Sequence, residues 1–290
     1  MVRTPADSLV SASSGPPTGQ VAVTPLSPRP GTFVAMPDAA ITAAGLQRRF
    51  GDNDAVAGVD LAVGVFPASV AIADLNGDGK PDLATADTNS NQVSVILRNA
   101  AGTGWAAPVT SGAGNGTHSV AIGDLNGDGL EDLYFTGNQV ENKCYLNLGG
   151  LKFKDITEES GTQKYPGQWS SGVNIIDLNG DGKKDIYVCN TLIKNASLRR
   201  NLLFINQGNE NGIPKFLEFA EAYGVDDTSH SSHAQFFDFD RDGDLDLFIG
   251  TNFIDRKVPG VFVKDLNDDC DMNCDKLYRN DWDSIHQHPY

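Results

Sequence analysis

The sequence predicts an all-β protein of repeated four-stranded antiparallel sheets, arranged as the blades of a β-propeller. Three observations carry this. An acidic motif recurs four times, as DLNGDGKPDL from Asp74, DLNGDGLEDL from Asp124, DLNGDGKKDI from Asp177 and DFDRDGDLDL from Asp238. Successive copies start 50, 53 and 61 residues apart, a period that belongs to repeat architectures. Each copy is flanked by short runs rich in apolar, β-branched and aromatic residues, which is how strands read.

Each strand of the repeat has its own signature. The first precedes the acidic motif, as SVAIAD, SVAIGD, VNIID and AQFFDF, and the second follows it, as LATAD, LYFTGN, IYVCN and LFIGTN. The motif therefore joins two antiparallel strands as an elaborated hairpin. A third run ends in asparagine each time, at Asn99, Asn147, Asn206 and Asn280. A fourth follows in three repeats, as WAAPVT from Trp105, LKFKDIT from Leu151 and KFLEFA from Lys215. Four short strands per repeat of this length describe a propeller blade.

Counting gives three complete blades and a fourth with three strands. Residues 48–64 offer outer strands for a preceding blade, or the missing strand of the fourth in a closure between the chain's two ends. Propellers have about four to eight blades. The reading favoured is three complete blades plus partial ones within a larger propeller, ahead of a closed four-blade ring. Residues 48–290 form this propeller segment. Residues 1–47 hold seven of the 14 prolines among Ser, Thr, Ala and Gly. Such a composition buries too little apolar surface to offset ordering entropy, so a flexible tail or linker is expected.

The charge balance narrows the function. With 22 Lys and Arg against 38 Asp and Glu, the 290-residue chain carries a formal charge of −16. Nucleic acid is excluded as a partner, because phosphate binding needs clustered cations. No run approaches the roughly 18 apolar residues of a membrane span. The N-terminal residues show no apolar region of a secretory signal as written. No nucleophile elbow, phosphate loop or dinucleotide fingerprint appears, so the chain reads as non-catalytic. The alternative is a secreted hydrolase or lyase with a site in its inter-blade loops, since one fold hosts many functions.

The acidic motif points to a metal. The nine-residue cores carry charges of −2, −4, −1 and −4, eleven of the sixteen net negative charges. Each core reads D-x-[DN]-x-D-G-x-x-D. Oxygen side chains at positions 1, 3, 5 and 9, with a backbone carbonyl from position 7, suit a hard cation that takes six to eight oxygens, which is Ca²⁺. The expected ligands are Asp74, Asn76, Asp78, Lys80 (carbonyl) and Asp82 in the first loop. In the second they are Asp124, Asn126, Asp128, Leu130 (carbonyl) and Asp132. The third offers Asp177, Asn179, Asp181, Lys183 (carbonyl) and Asp185, and the fourth Asp238, Asp240, Asp242, Asp244 (carbonyl) and Asp246. Glycine at position 6 permits the sharp turn that keeps the ligands on one side. About four Ca²⁺ ions are expected, with the fourth loop tightest because it alone has four ligating carboxylates. An EF-hand is excluded, since position 12 is Thr85, Phe135, Val188 or Ile249 and no helices flank the loops.

The motif between strand pairs resembles the FG-GAP, or VCBS-type, repeats of integrin α-subunit propellers and of many bacterial surface proteins. The resemblance covers roughly residues 48–290. The stretches NKCYLNLGGLKFKDITEESG and SHAQFFDFDRDGDLDLFIGTN are similar to the secreted cartilage-acidic-protein and UnbV-type branch. The Phe-Gly and Gly-Ala-Pro signatures are echoed only by Phe50-Gly51 and Ala107-Pro108. The resemblance implies structural Ca²⁺ in the loops, ligand docking elsewhere on the propeller, an extracellular or cell-surface location, and adhesion to a protein or glycan.

Two features lie outside the repeat. The fourth repeat is lengthened between residues 251 and 274 by an acidic stretch holding Cys270 and Cys274. It reads either as a solvated acidic insertion with two free thiols or as a binding loop, with a Cys270–Cys274 disulfide in an oxidising compartment. Cys144 and Cys189 lie in strand runs and read as small buried hydrophobes.

Overall fold

Strand pairs around Asp- and Gly-rich turns should fold as hairpins, and in the computed structural model of the chain they do. Residues 48–50, 53–56, 61, 63–90, 92–102, 104–112, 116–252 and 274–280 are described. All belong to the unit that spans residues 38–290. The expected 1–47 tail and nearly all of the 251–274 insertion lie outside them.

Strands β1 (Arg48–Phe50) and β2 (Asn53–Val56) pair as a two-stranded antiparallel sheet. Four larger sheets follow. The first holds β3 (Pro67–Ala73), β4 (Asp82–Asp87), β5 (Gln92–Ile96) and β6 (Val109–Gly112). The second holds β7 (Thr117–Gly123), β8 (Asp132–Gly137), β9 (Lys143–Asn147) and β10 (Phe153–Asp155). A one-turn helix, α1 (Thr157–Ser160), leads to the third sheet: β11 (Ser170–Ile176), β12 (Asp185–Asn190), β13 (Leu202–Glu210) and β14 (Ile213–Glu218). The fourth has three strands, β15 (Ser231–Phe237), β16 (Asp246–Thr251) and β17 (Lys276–Tyr278). Every sheet runs in sequence order and every pair is antiparallel, as in propeller blades.

Two details differ from the expected repeat. The fourth strand of the first blade begins later than Trp105, at Val109–Gly112, and shares only Val109 and Thr110 with WAAPVT. Trp105 instead makes a single bridge with Arg98, whose guanidinium stacks 4.5 Å above its ring. Arg98, not Asn99, takes the place of the recurring asparagine: its backbone N–H donates to Asp82, as those of Asn147, Asn206 and Asn280 do to Asp132, Asp185 and Asp246.

The core lies between consecutive blades. Ala84, Ala86, Val93 and Val95 of the first blade meet Val120, Leu133 and Phe135 of the second. Tyr134, Cys144, Leu146 and Ile156 meet Ile186, Val188, Leu202, Phe204 and Phe216 of the third. Tyr187, Cys189, Leu203 and Ala220 meet Ala234, Leu247 and Ile249 of the fourth. A sheet packed on both faces must be apolar on both, and every residue of β8 and β12 is buried. Cys144 and Cys189 are buried free thiols, as expected of small hydrophobes.

The same packing explains where apolar surface stays open. Val120 on β7 is 6% exposed because the first blade covers it, whereas its counterpart Val70 on β3 is 58% exposed and Ile72 is 65% exposed. At the other end of the series Phe237 and Leu277 are also exposed.

Candidate metal centre

The four loops share one hydrogen-bond plan. The position-1 carboxylate accepts from the amides that curl over it. Gly77, Asp78 and Gly79 donate to Asp74 at 2.8, 3.0 and 2.6 Å, and Gly127, Asp128 and Gly129 donate to Asp124 at 2.7, 3.1 and 2.8 Å. Asp181 and Gly182 donate to Asp177, and Arg241, Asp242 and Gly243 donate to Asp238. Position 3 accepts from position 5: Asn76 from Asp78, Asn126 from Asp128 and Asn179 from Asp181. These bonds hold the side-chain oxygens on the inner side of the turn.

The turn needs two left-handed residues, not one. Position 6 is glycine throughout, with φ of 80° at Gly79, 84° at Gly129, 84° at Gly182 and 102° at Gly243. Position 4 is also left-handed, with glycine in three loops and Arg241 at φ 67° in the fourth. Sequence reasoning passed over position 4, although its glycine recurs visibly three times.

The position-9 aspartates are fully buried. Each bonds both oxygens to backbone amides, one at position 2 of its own loop and one at the end of the third strand. Asp82 accepts from Leu75 and Arg98, Asp132 from Leu125 and Asn147, Asp185 from Leu178 and Asn206, and Asp246 from Phe239 and Asn280. They tie loop to sheet, and each oxygen keeps a second lone pair for a cation. Burial pushes the carboxyl of Asp132 up to about 7 and that of Asp185 up to about 6, against the pull of those amides. A cation beside them would favour the ionised form.

The asparagine after each third strand does more than end it. Asn147 Nδ2 donates to the carbonyl of Leu75, in the loop of the preceding blade, at 3.0 Å, and Asn206 Nδ2 does the same to Leu125 at 2.9 Å. Loop geometry in one blade is thereby coupled to the next sheet.

Charge is handled differently from loop to loop. In the first and third, the position-7 lysine folds over its own loop: Lys80 Nζ lies 3.2 Å from Asp78 and Lys183 Nζ 2.7 Å from Asp181. Burial raises the Asp181 carboxyl, but Lys183 outweighs this and holds it below its usual range. In the second loop Asn126 Nδ2 donates to Asp128. The fourth loop has aspartate at position 7. There Asp238, Asp240 and Asp246 bring carboxylate oxygens within 4.8 Å of one another, and partial desolvation with the charges of Asp242 and Asp246 raises the Asp240 carboxyl. A convergent all-oxygen donor set of this kind fits Ca²⁺.

Cys274, at the end of the insertion, is disulfide-bonded; Cys270 lies outside the described residues. No helix among the described residues is long and apolar enough to cross a membrane.

The model of the FG-GAP-like repeat matches residues 74–135 and 124–188. The chain thus carries FG-GAP-like repeats in two places, and its four-stranded antiparallel sheets are those of a β-propeller-like repeat protein. The fourth loop lies beyond the matched residues and joins the series through its shared hydrogen bonds. No curated protein matches the chain.

Proposed function

We propose that the four loops bind Ca²⁺, about four ions per chain, and that the braced blades form a non-catalytic recognition module of an extracellular or cell-surface protein. Its ligand would be a protein or a glycan, held by surfaces away from the loops. The observation that carries the metal reading is the fourth loop, where three carboxylates bring their oxygens within 4.8 Å of one another. The FG-GAP-like repeats and the disulfide at Cys274, a bond of oxidising compartments, support the location.

Extracellular Ca²⁺ modules bind at about 10⁻⁴–10⁻³ M. With a Kd of ~0.1 mM in about 1–2 mM Ca²⁺, each site stabilises the fold by roughly 1.4–1.8 kcal/mol. Calorimetric titration of the metal-stripped chain should show about four sites, the fourth loop tightest. Asp240→Asn should weaken that site about tenfold. Chelator should lower the melting temperature strongly. An unchanged melt in chelator, with no heat of calcium binding, overturns the metal reading. Calcium-dependent capture on a glycan array or a displayed-peptide library tests the recognition role, and turnover of a captured glycan would favour an enzyme instead.

A further inference from the structure

The first two blades leave an apolar cavity between them. It has a volume of about 280 Å³. Val93, Val95 and Val109 line it from the first blade, and Leu133, Phe135 and Phe153 from the second. Val93, Val95, Leu133 and Phe135 are buried, so the walls are part of the inter-blade core. No charged residue lines it; the hydroxyls of Thr110 and Tyr145 are its polar side-chain groups.

The cavity has a cause in the chain. In the second blade the residue after the fourth strand, Ile156, is fully buried, and its amide donates to Cys144. Helix α1 follows and packs on β14 of the third blade, with Lys215 Nζ donating to the Glu159 carbonyl. In the third blade Phe219 takes that place, its amide donating to Leu203, and the buried Ala220 and Val225 follow. The first blade has Val109 there, paired with Val95 and 49% exposed. Its fourth strand ends at Gly112 and the next blade begins at Thr117, whereas in the second blade the strand ends at Asp155 and the next begins at Ser170. The connection is too short to carry a helix over the mouth.

We propose that this cavity is a binding site for an uncharged, largely apolar small molecule of one or two fused rings. The volume is near the low end for ligand pockets, which are lined mainly by apolar and aromatic side chains with few polar groups. Apolar walls give water few partners, so an apolar guest can displace it. A charged ligand would lose its hydration against walls that offer no counter-ion. The ligand stacks against the edge-to-face pair of Phe135 and Tyr145, whose ring centroids are 6.1 Å apart. The site is independent of metal binding in the loops.

The test uses N-phenyl-1-naphthylamine, an uncharged aromatic probe that brightens in apolar surroundings, with the whole calcium-loaded chain. One saturable site of micromolar Kd is expected. Val109→Phe and Thr110→Trp, both at the exposed mouth, should each weaken it at least tenfold. Val70→Asp with Ile72→Asp, on the open face of β3, should leave it unchanged. Methyl NMR of the unaltered chain gives a readout that needs no variant, with probe-induced shifts expected at Val93, Val95, Leu133 and Leu151. Absence of saturable binding, shifts confined to other methyls, or loss of binding in the β3 variant overturns the proposal.

Discussion

Arg241 shows most plainly what one residue decides. Its φ of 67° places an L-residue where the other three loops use glycine, and no heavy atom would crowd a Cβ at Gly77, Gly127 or Gly180. The strain is therefore in the backbone alone. Left-handed geometry costs a non-glycine residue about 1–2 kcal/mol, partly offset by the greater unfolded-state entropy of glycine. Arg241→Gly should accordingly stabilise the chain by about 0.5–1 kcal/mol, read as a rise in the midpoint of a denaturant melt; a fall would show that the Arg241 side chain matters more than its backbone. The position-6 glycines were legible from the turn they must make. The burial of the position-9 aspartates was not, because one letter can mark a solvated ligand or a fully desolvated brace, and only the packing around it distinguishes them.

At the scale of the element, the blade is held to its neighbour by a few directed bonds laid over apolar packing. Asn206 is the best placed of these. Its Nδ2 reaches the carbonyls of Leu125 and Lys184, and its Oδ1 accepts from Gly208. Asn206→Ala strands buried polar groups and should cost about 2 kcal/mol in chemical denaturation; a loss below a few tenths would mean that water replaces the side chain. His118 on β7 gives the blade boundary a pH dependence. Burial lowers its pKa below 6.5, against a hydrogen bond to the Ser171 backbone. The unfolded chain then takes up a proton that the folded chain refuses. Stability from this residue is full above pH 6.5 and declines as pH falls through 6.5 toward the folded value. Asp132 and Asp185 titrate in the same window with the opposite sign, since their raised values add stability as pH falls through about 7 and about 6. The His118→Gln variant isolates the histidine: its melting temperature should fall less, or rise more, than that of the parent as pH drops through the window. An identical slope in the variant would place the titration elsewhere. The recurring asparagine was visible in the sequence, and its role was hidden because its partner lies a whole repeat away. Aligning Asn99 with the others failed for the same reason: spacing alone cannot tell which of two neighbouring residues meets the brace.

On the scale of the whole molecule, the charge of −16 is concentrated in loops whose carboxylates face one another. Four bound Ca²⁺ ions would halve it to about −8, and Lys80 and Lys183 already offset part of it in two loops. Self-repulsion at fixed shape is screened by salt, with a Debye length of about 10 Å at 0.1 M. The metal-stripped chain should therefore be stabilised by added NaCl much more than the calcium-loaded chain; equal responses would mean that the loop charges do not repel in the folded state. The exposed Val70 and Ile72 belong to this scale too, since blade packing buries an inner strand only when another blade lies on that side.

Much was settled by local order alone. Period, strand alternation and the D-x-[DN]-x-D-G-x-x-D core determine antiparallel blades joined by acidic hairpins, because turn chemistry and side-chain alternation act over a few residues. What only the tertiary structure decided is the work of residues that meet across blades: the asparagine that reaches back to the preceding loop, the aspartate withdrawn from solvent, and the cavity left where a connection is too short to cover it. Contacts of that kind depend on how one sheet lies on the next, and nothing in the spacing of a single repeat encodes them.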